Sequence, residues 1–199
     1  RRSAVLGGPT GRAEAGFLYG GCKAGHGALN PPPGVTGDQE DPLAIRGAML
    51  KSLGDGVGRI VDAIEKNGLK DNTLVVFTND NGPVLASMST PWRGTKNTTF
   101  EGGVRVPCLL RWPGHTKPGT SNDGMIFISD FYSTFITLAG AKHEQETKVD
   151  GLDMTATLFG DKVSPRKEIV FEVEGSVRLP TIRRGNWKLM GDMLFNIKK

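Results

Sequence analysis

The sequence predicts an α/β fold, with helices and strands alternating over residues 16–145 and a small antiparallel unit appended over residues 165–199. Three observations carry this. A helical apolar stripe between residues 41 and 68 runs directly into a β-rich stretch at 74–78. A second strand candidate, VRVPCLLRWPG (104–114), and a second helix candidate, SDFYSTFITLAG (129–140), repeat the alternation. From about residue 168, EIVFEVEG and LPTIRRGNWKLMGDMLFNI read as short strands joined by tight turns, one of them at Arg184, Gly185 and Asn186.

Taken in order, residues 1–15 are rich in Gly and Arg, lack periodicity and read as a linker or a frayed end. GFLYGG (16–21) is a short strand candidate. Residues 26–42 form an extended loop, because three consecutive prolines, Pro31 to Pro33, forbid a helix. Asp41 caps and Pro42 opens the long helix, the favoured order at a helix start. Leu43, Leu50, Leu53, Val57, Ile60, Val61 and Ile64 repeat at helical spacing, and Gly68 ends the run. Gly54, Gly56 and Gly58 cost about 1 kcal/mol each relative to Ala, which predicts close packing against a neighbouring element. Residues 84–103 are polar and Gly-rich and read as a long loop. In the second helix Phe131, Phe135 and Leu138 share one face. There is no internal repeat.

Composition sets limits. A chain of 199 residues is one domain, or one with a small appendage, and is long enough to bury a core. Lys and Arg total 25 against 21 Asp and Glu, a net charge of +4. The basic residues near the end, Arg178, Arg183, Arg184, Lys188, Lys198 and Lys199, read as solvated surface, since no aromatic platform or DNA-binding motif accompanies them. No apolar run approaches the ~20 residues of a membrane span, and none of these residues is expected to be a signal peptide. With Arg1 first, the chain is expected to be a processed product or a fragment. Cys22 and Cys108 lie beside apolar stretches and read as buried free thiols, bonded only if the fold brings them close.

The strand at 74–78 stops on Asn79, Asp80, Asn81, Gly82 and Pro83. These residues build turns by nature. The end of a strand in an α/β sheet is also where ligands sit, and Asp80 with Asn81 offers hard oxygens to a divalent cation. The following loop carries Arg93, Lys96, Glu101 and Arg105 among small residues. It is either a solvated loop or, near that turn, a site for a tetrahedral oxyanion. Lys suits the latter as a compact point charge, and Gly102 and Gly103 would let backbone amides approach a ligand.

Several segments in fixed order resemble the sulfatase family. DNTLVVFTNDNGP followed by RGTKNTTFEGGVRVPCLLRWPG is similar to that family's strand ending in F-T-S-D-N-G and its G-K-G-T-T-x-E-G-G-V-R-V-P loop. RGAMLKSLGDGVGRIVDAIEKNGL resembles the preceding helix, and FLYGGCKAGHGALNPPPG the strand leading into a His-Pro segment. SDFYSTFITLAGA, GLDMTATLFG and IRRGNWKLM resemble later elements, so the likeness runs from about residue 16 to 199. It implies an alkaline-phosphatase-like fold: a mixed sheet flanked by helices, with residues 16–164 the C-terminal part of the α/β domain and 165–199 a small antiparallel sheet.

By the same resemblance, Asp80 and Asn81 match two metal ligands, usually to calcium, and Lys96 matches the lysine that grips sulfate. His26 matches the histidine that contacts sulfate and assists the leaving alcohol, although Ala28 stands where the family commonly has proline. Arg93 joins Lys96 and His26 as a substrate-binding candidate; His115 and His143 read as surface residues. No C/S-x-P/A-x-R cassette stands upstream of the His26 segment, where the family carries its formylglycine, and neither Cys22 nor Cys108 is followed by its pattern. The expectation is therefore the C-terminal half of a sulfatase, inactive alone and binding calcium weakly. An N-terminal half would be its partner and a sulfate ester, aryl or carbohydrate, its substrate. No nucleic-acid partner is expected. The alternatives are a metal-dependent phosphodiesterase or phosphonate hydrolase of the same superfamily, and a non-catalytic relative binding sulfated glycans. The family implies a secreted, periplasmic or lysosomal home. A glycosylation sequon at Asn97 is discounted because it adjoins Lys96.

Overall fold

The computed structural model describes residues 4–6, 16–20, 41–142, 148–171 and 180–198. They belong to two compact units, Arg1–Thr73 and Leu74–Lys199. The first holds a two-stranded antiparallel ribbon, β1 (Ala4–Leu6) with β2 (Phe17–Tyr19), and the long helix α1 (Pro42–Lys66). Asp41 caps α1 by accepting the Leu43 N–H at 2.9 Å, with Pro42 in the first turn. At the other end Asn67 is the C-cap and Gly68 takes a φ of +69°, a left-handed conformation that glycine adopts without penalty.

The stripe of α1 differs from its sequence reading. Leu53, Val57, Val61 and Ile64 are half-buried, but Leu43, Leu50 and Ile60 are exposed, while Ile45 and Met49 are the buried pair. Periodicity identifies residues that share a face; it does not say what covers it. Nor, among the described residues, does another element meet the helix glycines. A Cβ added at Gly54 or Gly58 would touch nothing within 4 Å among the described residues.

The second unit opens with β3 (Val75–Thr78), paired antiparallel to β4 (Cys108–Arg111) from Val75 opposite Arg111 to Thr78 opposite Cys108. The connection between them is not loop throughout. It contains a 3-10 turn, Ala86–Met88, and a one-turn helix α2 (Glu101–Val104). Helix α3 (Asp130–Leu138) stacks Phe131 on Phe135, ring centroids 5.6 Å apart, and packs near α4 (Thr155–Phe159). Asp130 lies wholly buried at the start of α3. It pairs with the Arg166 guanidinium and accepts the Phe127 and Leu152 N–H groups at 2.7 and 2.8 Å. A carboxylate so completely bonded has no need of water.

The chain ends in a four-stranded antiparallel sheet in sequential order: β5 (Glu168–Phe171), β6 (Thr181–Arg184), β7 (Trp187–Met190) and β8 (Met193–Asn196). Gly185 and Gly191 turn the last two hairpins at φ +57° and +58°. Strand alternation sends Ile169, Thr181, Lys188 and Met190 to the buried face and Val170, Trp187 and Leu189 outward. Lys188 is thus 2% exposed, which corrects its assignment to a solvated basic tail.

Candidate functional site

β3 ends at Thr78, whose hydroxyl donates to the Pro107 carbonyl at 3.0 Å, and the chain then turns through Asn79 to Pro83. Asp80 is exposed and Asn81 half-buried. Asp80 Oδ1 accepts the Asn81 backbone N–H at 2.9 Å, and Asn81 Nδ2 donates to the Gly82 carbonyl at 2.8 Å. Among the described residues, Asp80 Oδ2 and Asn81 Oδ1 have no hydrogen-bond partner. These are the oxygens available to a cation.

Two backbone bonds stitch this turn to the loop after it. Gly82 N–H donates to the Gly103 carbonyl at 2.8 Å, and Lys96 N–H donates to the Pro83 carbonyl at 2.8 Å. The contact is close enough to require glycine. A Cβ on Gly82 would collide with the Gly102 carbonyl, and one on Gly102 with the Gly94 carbonyl. Gly94 itself has φ +91° and faces the Phe100 Cβ. The glycines of the loop therefore serve chain-on-chain packing. Gly102 N–H goes to the Arg93 carbonyl and Gly103 N–H to that of Phe100, so neither amide is free for a ligand as the sequence reading expected.

Lys96 is half-buried, and among the described residues its ammonium makes no ion pair or hydrogen bond. The loop's other cations are committed to rings: Arg93 lies over Phe100 and Arg105 over Trp92, each 4.5 Å from the centroid. His26, Cys22 and His143 lie outside the described residues. His115 is exposed and stacks on Trp112 at 3.9 Å. Cys108 is a free, half-buried thiol whose pKa burial raises, which keeps it from acting as a thiolate.

Glu101 carries a role that its place in the sequence did not reveal. It is buried, and Oε1 accepts from Lys188 Nζ at 2.9 Å while Oε2 accepts from Arg183 Nη1 at 3.4 Å. Two residues earlier, the buried Thr99 and Thr181 hydroxyls share a 2.8 Å bond. Desolvation lowers the Lys188 pKa, against the opposing pull of Glu101. The ammonium also lies over the Phe171 ring, 4.9 Å from its centre. The loop bearing Lys96 is thereby fastened to the C-terminal sheet.

The donor chemistry at Asp80 and Asn81 fits a hard cation, but two adjacent residues fill a small part of a calcium shell of 6–8 oxygens. Among the described residues no group of three or more His, Cys, Asp or Glu stands together as a metal site. No helix of the described residues is long and apolar enough to cross a membrane.

Residues 12–141, more than half of the chain, match the Sulfatase family model. The chain is 33% identical over 181 residues to mouse N-acetylgalactosamine-6-sulfatase, covering 86% of this chain and 33% of that protein. It is 39% identical over 153 residues to human arylsulfatase A, covering 71% and 29%. It thus spans about a third of the length of these relatives. Among solved structures it is similar to Ps i-CgsB, with a TM-score of 0.74 and 31% identity over 88% of this chain and 42% of that one; the same protein is also solved with k-i-k-neocarrahexaose. The PsFucS1 sulfatase from Pseudoalteromonas sp. superposes with a TM-score of 0.68 at 29% identity, over 78% and 36%.

Proposed function

This chain belongs to the sulfatase family, and from that premise we propose that it supplies one half of a sulfuric ester hydrolase site and lacks turnover by itself. The observation that carries the reading is the backbone stitching of the Asp80–Asn81 turn to the Lys96 loop, through Gly82 to Gly103 and Lys96 to Pro83. It sets two oxygen donors and an ammonium that is unpaired among the described residues on adjoining segments.

Asp80 and Asn81 would hold one side of a calcium ion. Such an ion, when bound, supplies Lewis-acid polarisation and orientation of an oxyanion. Lys96 would place its charge against the sulfate oxygens, where charge-assisted hydrogen bonds are strong. Arg93 would add positive charge at the rim, and His26 would donate a proton to the departing alkoxide. The nucleophile and the remaining metal ligands would come from an N-terminal half that this sequence does not contain. The names of the relatives point to aryl and carbohydrate sulfates as the substrate class.

The test compares 4-nitrophenyl sulfate with 4-nitrophenyl phosphate as substrates, for this chain and for the full-length product of its gene. Turnover of the sulfate ester by the full-length protein alone is the expected outcome. Hydrolysis by the 199-residue chain would contradict the half-site. Preference for the phosphate ester, or salt-sensitive glycan binding without turnover, would replace the sulfatase reading.

A further inference from the structure

We propose that Lys188, on the C-terminal sheet, is a positioning residue for the Lys96 loop, acting through Glu101. The inference rests on the sulfatase reading for what Lys96 does, but its geometry stands apart from that reading.

Three links form one chain of contacts. Lys188 and Arg183, on neighbouring strands β7 and β6, both donate to the Glu101 carboxylate. Glu101 opens α2, whose second and third residues are the glycines that clamp the metal-candidate turn. Gly102 holds the Arg93 carbonyl and the Gly103 carbonyl holds the Gly82 N–H, with Lys96 N–H on Pro83 directly alongside. Thr99, bonded to Thr181 on β6, gives a second tether from the same sheet. No carboxylate other than Glu101 faces Lys188 among the described residues; Arg183 and the Phe171 ring are its remaining charged and aromatic neighbours.

Why this should position and not merely stabilise follows from where the tethers attach. Glu101, Gly102 and Gly103 are consecutive, and tight backbone contact transmits a shift of α2 to Gly82 and Gly94 without slack. Lys96 lies inside that closed span, between Gly94 and Thr99. Loss of the pair would let the loop open locally while the rest of the unit stays folded. The sheet thus sets the place of a loop that is far from it in sequence.

The test uses the chain itself, isotope-labelled, and reads backbone amide resonances and their hydrogen exchange. In Lys188→Met, the amides of Gly82, Lys96, Gly102 and Gly103 should shift and exchange at least roughly tenfold faster, in line with the loss of a charged hydrogen bond. Leu152 and Met154 amides, held by Asp130 and Thr134, serve as internal references and should not change. Lys188→Arg should recover most of the wild-type pattern. If Lys188→Met does not fold, Thr99→Val decides, since it removes one tether without stranding a buried charge, and it should move the same four amides. Unmoved site amides in a folded variant, or equal acceleration at Leu152 and Met154, overturn the proposal. Neither result bears on turnover, so a failure here is distinct from a failure of the sulfatase reading.

Discussion

The Lys188 ammonium sits 2.9 Å from Glu101 Oε1 with both side chains nearly sequestered from water, 2% and 9% exposed. Eighty-seven residues separate them in the chain. Removing one partner of such a pair leaves an uncompensated buried charge, at a cost of about 3–5 kcal/mol. Lys188→Ala should fall in that range by urea unfolding, moderated by Arg183, which stays 3.4 Å from Glu101. The double variant Glu101→Leu/Lys188→Met should lose less than Lys188→Ala, because neither charge is then stranded.

The same pair predicts a pH dependence with a definite sign. Burial depresses the Lys188 pKa below its ordinary 10.5 in the folded state, so between those two values the unfolded chain binds more protons. The contribution of Lys188 to stability is therefore gained as pH rises through the depressed pKa, and lost as pH falls through it. Urea midpoints from pH 7 upward should rise in wild type relative to Lys188→Met. A wild-type curve falling relative to that variant would reverse the assignment.

Asp153 makes the opposite case on the acid side. Burial would raise its pKa, but the Thr155 hydroxyl and N–H, donating to Oδ1 at 2.6 and 2.9 Å, outweigh this with help from Thr137 and lower it. Its contribution is present above the ordinary 3.8 and disappears as pH falls through the lowered value. Asp153→Ala should cost about 1 kcal/mol at pH 7, the usual net worth of an intramolecular hydrogen bond. The difference should vanish in strong acid.

Gly82→Ala tests the stitching directly. Its Cβ would occupy the position of the Gly102 carbonyl, so the turn and the loop must separate. A loss of about 2–3 kcal/mol is expected, the scale of overpacking in a tight site. Gly58→Ala is the control. Its Cβ meets nothing within 4 Å among the described residues, and alanine in a helix interior should stabilise by up to about 1 kcal/mol.

Much of this was legible in the sequence, and the failures share a cause. Asp41, Pro42 and Gly68 mark the ends of α1 through local backbone chemistry, and they do so in the structure. Gly185 turns its hairpin for the same reason. Lys188 was misplaced because Trp187, Lys188, Leu189 and Met190 offer apolar side chains to both faces of β7, and alternation then cannot say which face is covered. The partner that makes a buried lysine tolerable, Glu101, lies far away in sequence and was seen only as one loop charge among several. Likewise the glycines at 102 and 103 announce a close approach, but not that the approaching group is the Gly82 turn.

We propose Lys96 and the Asp80–Asn81 turn as one side of a sulfate-ester site. The most direct measurement is 4-nitrophenyl sulfate hydrolysis by the full-length gene product as wild type, Lys96→Ala and Asp80→Ala. Each substitution is expected to lower kcat by about 10²-fold or more, the scale of removing one preorganised electrostatic group. Turnover within a few-fold of wild type in both variants would contradict the proposal.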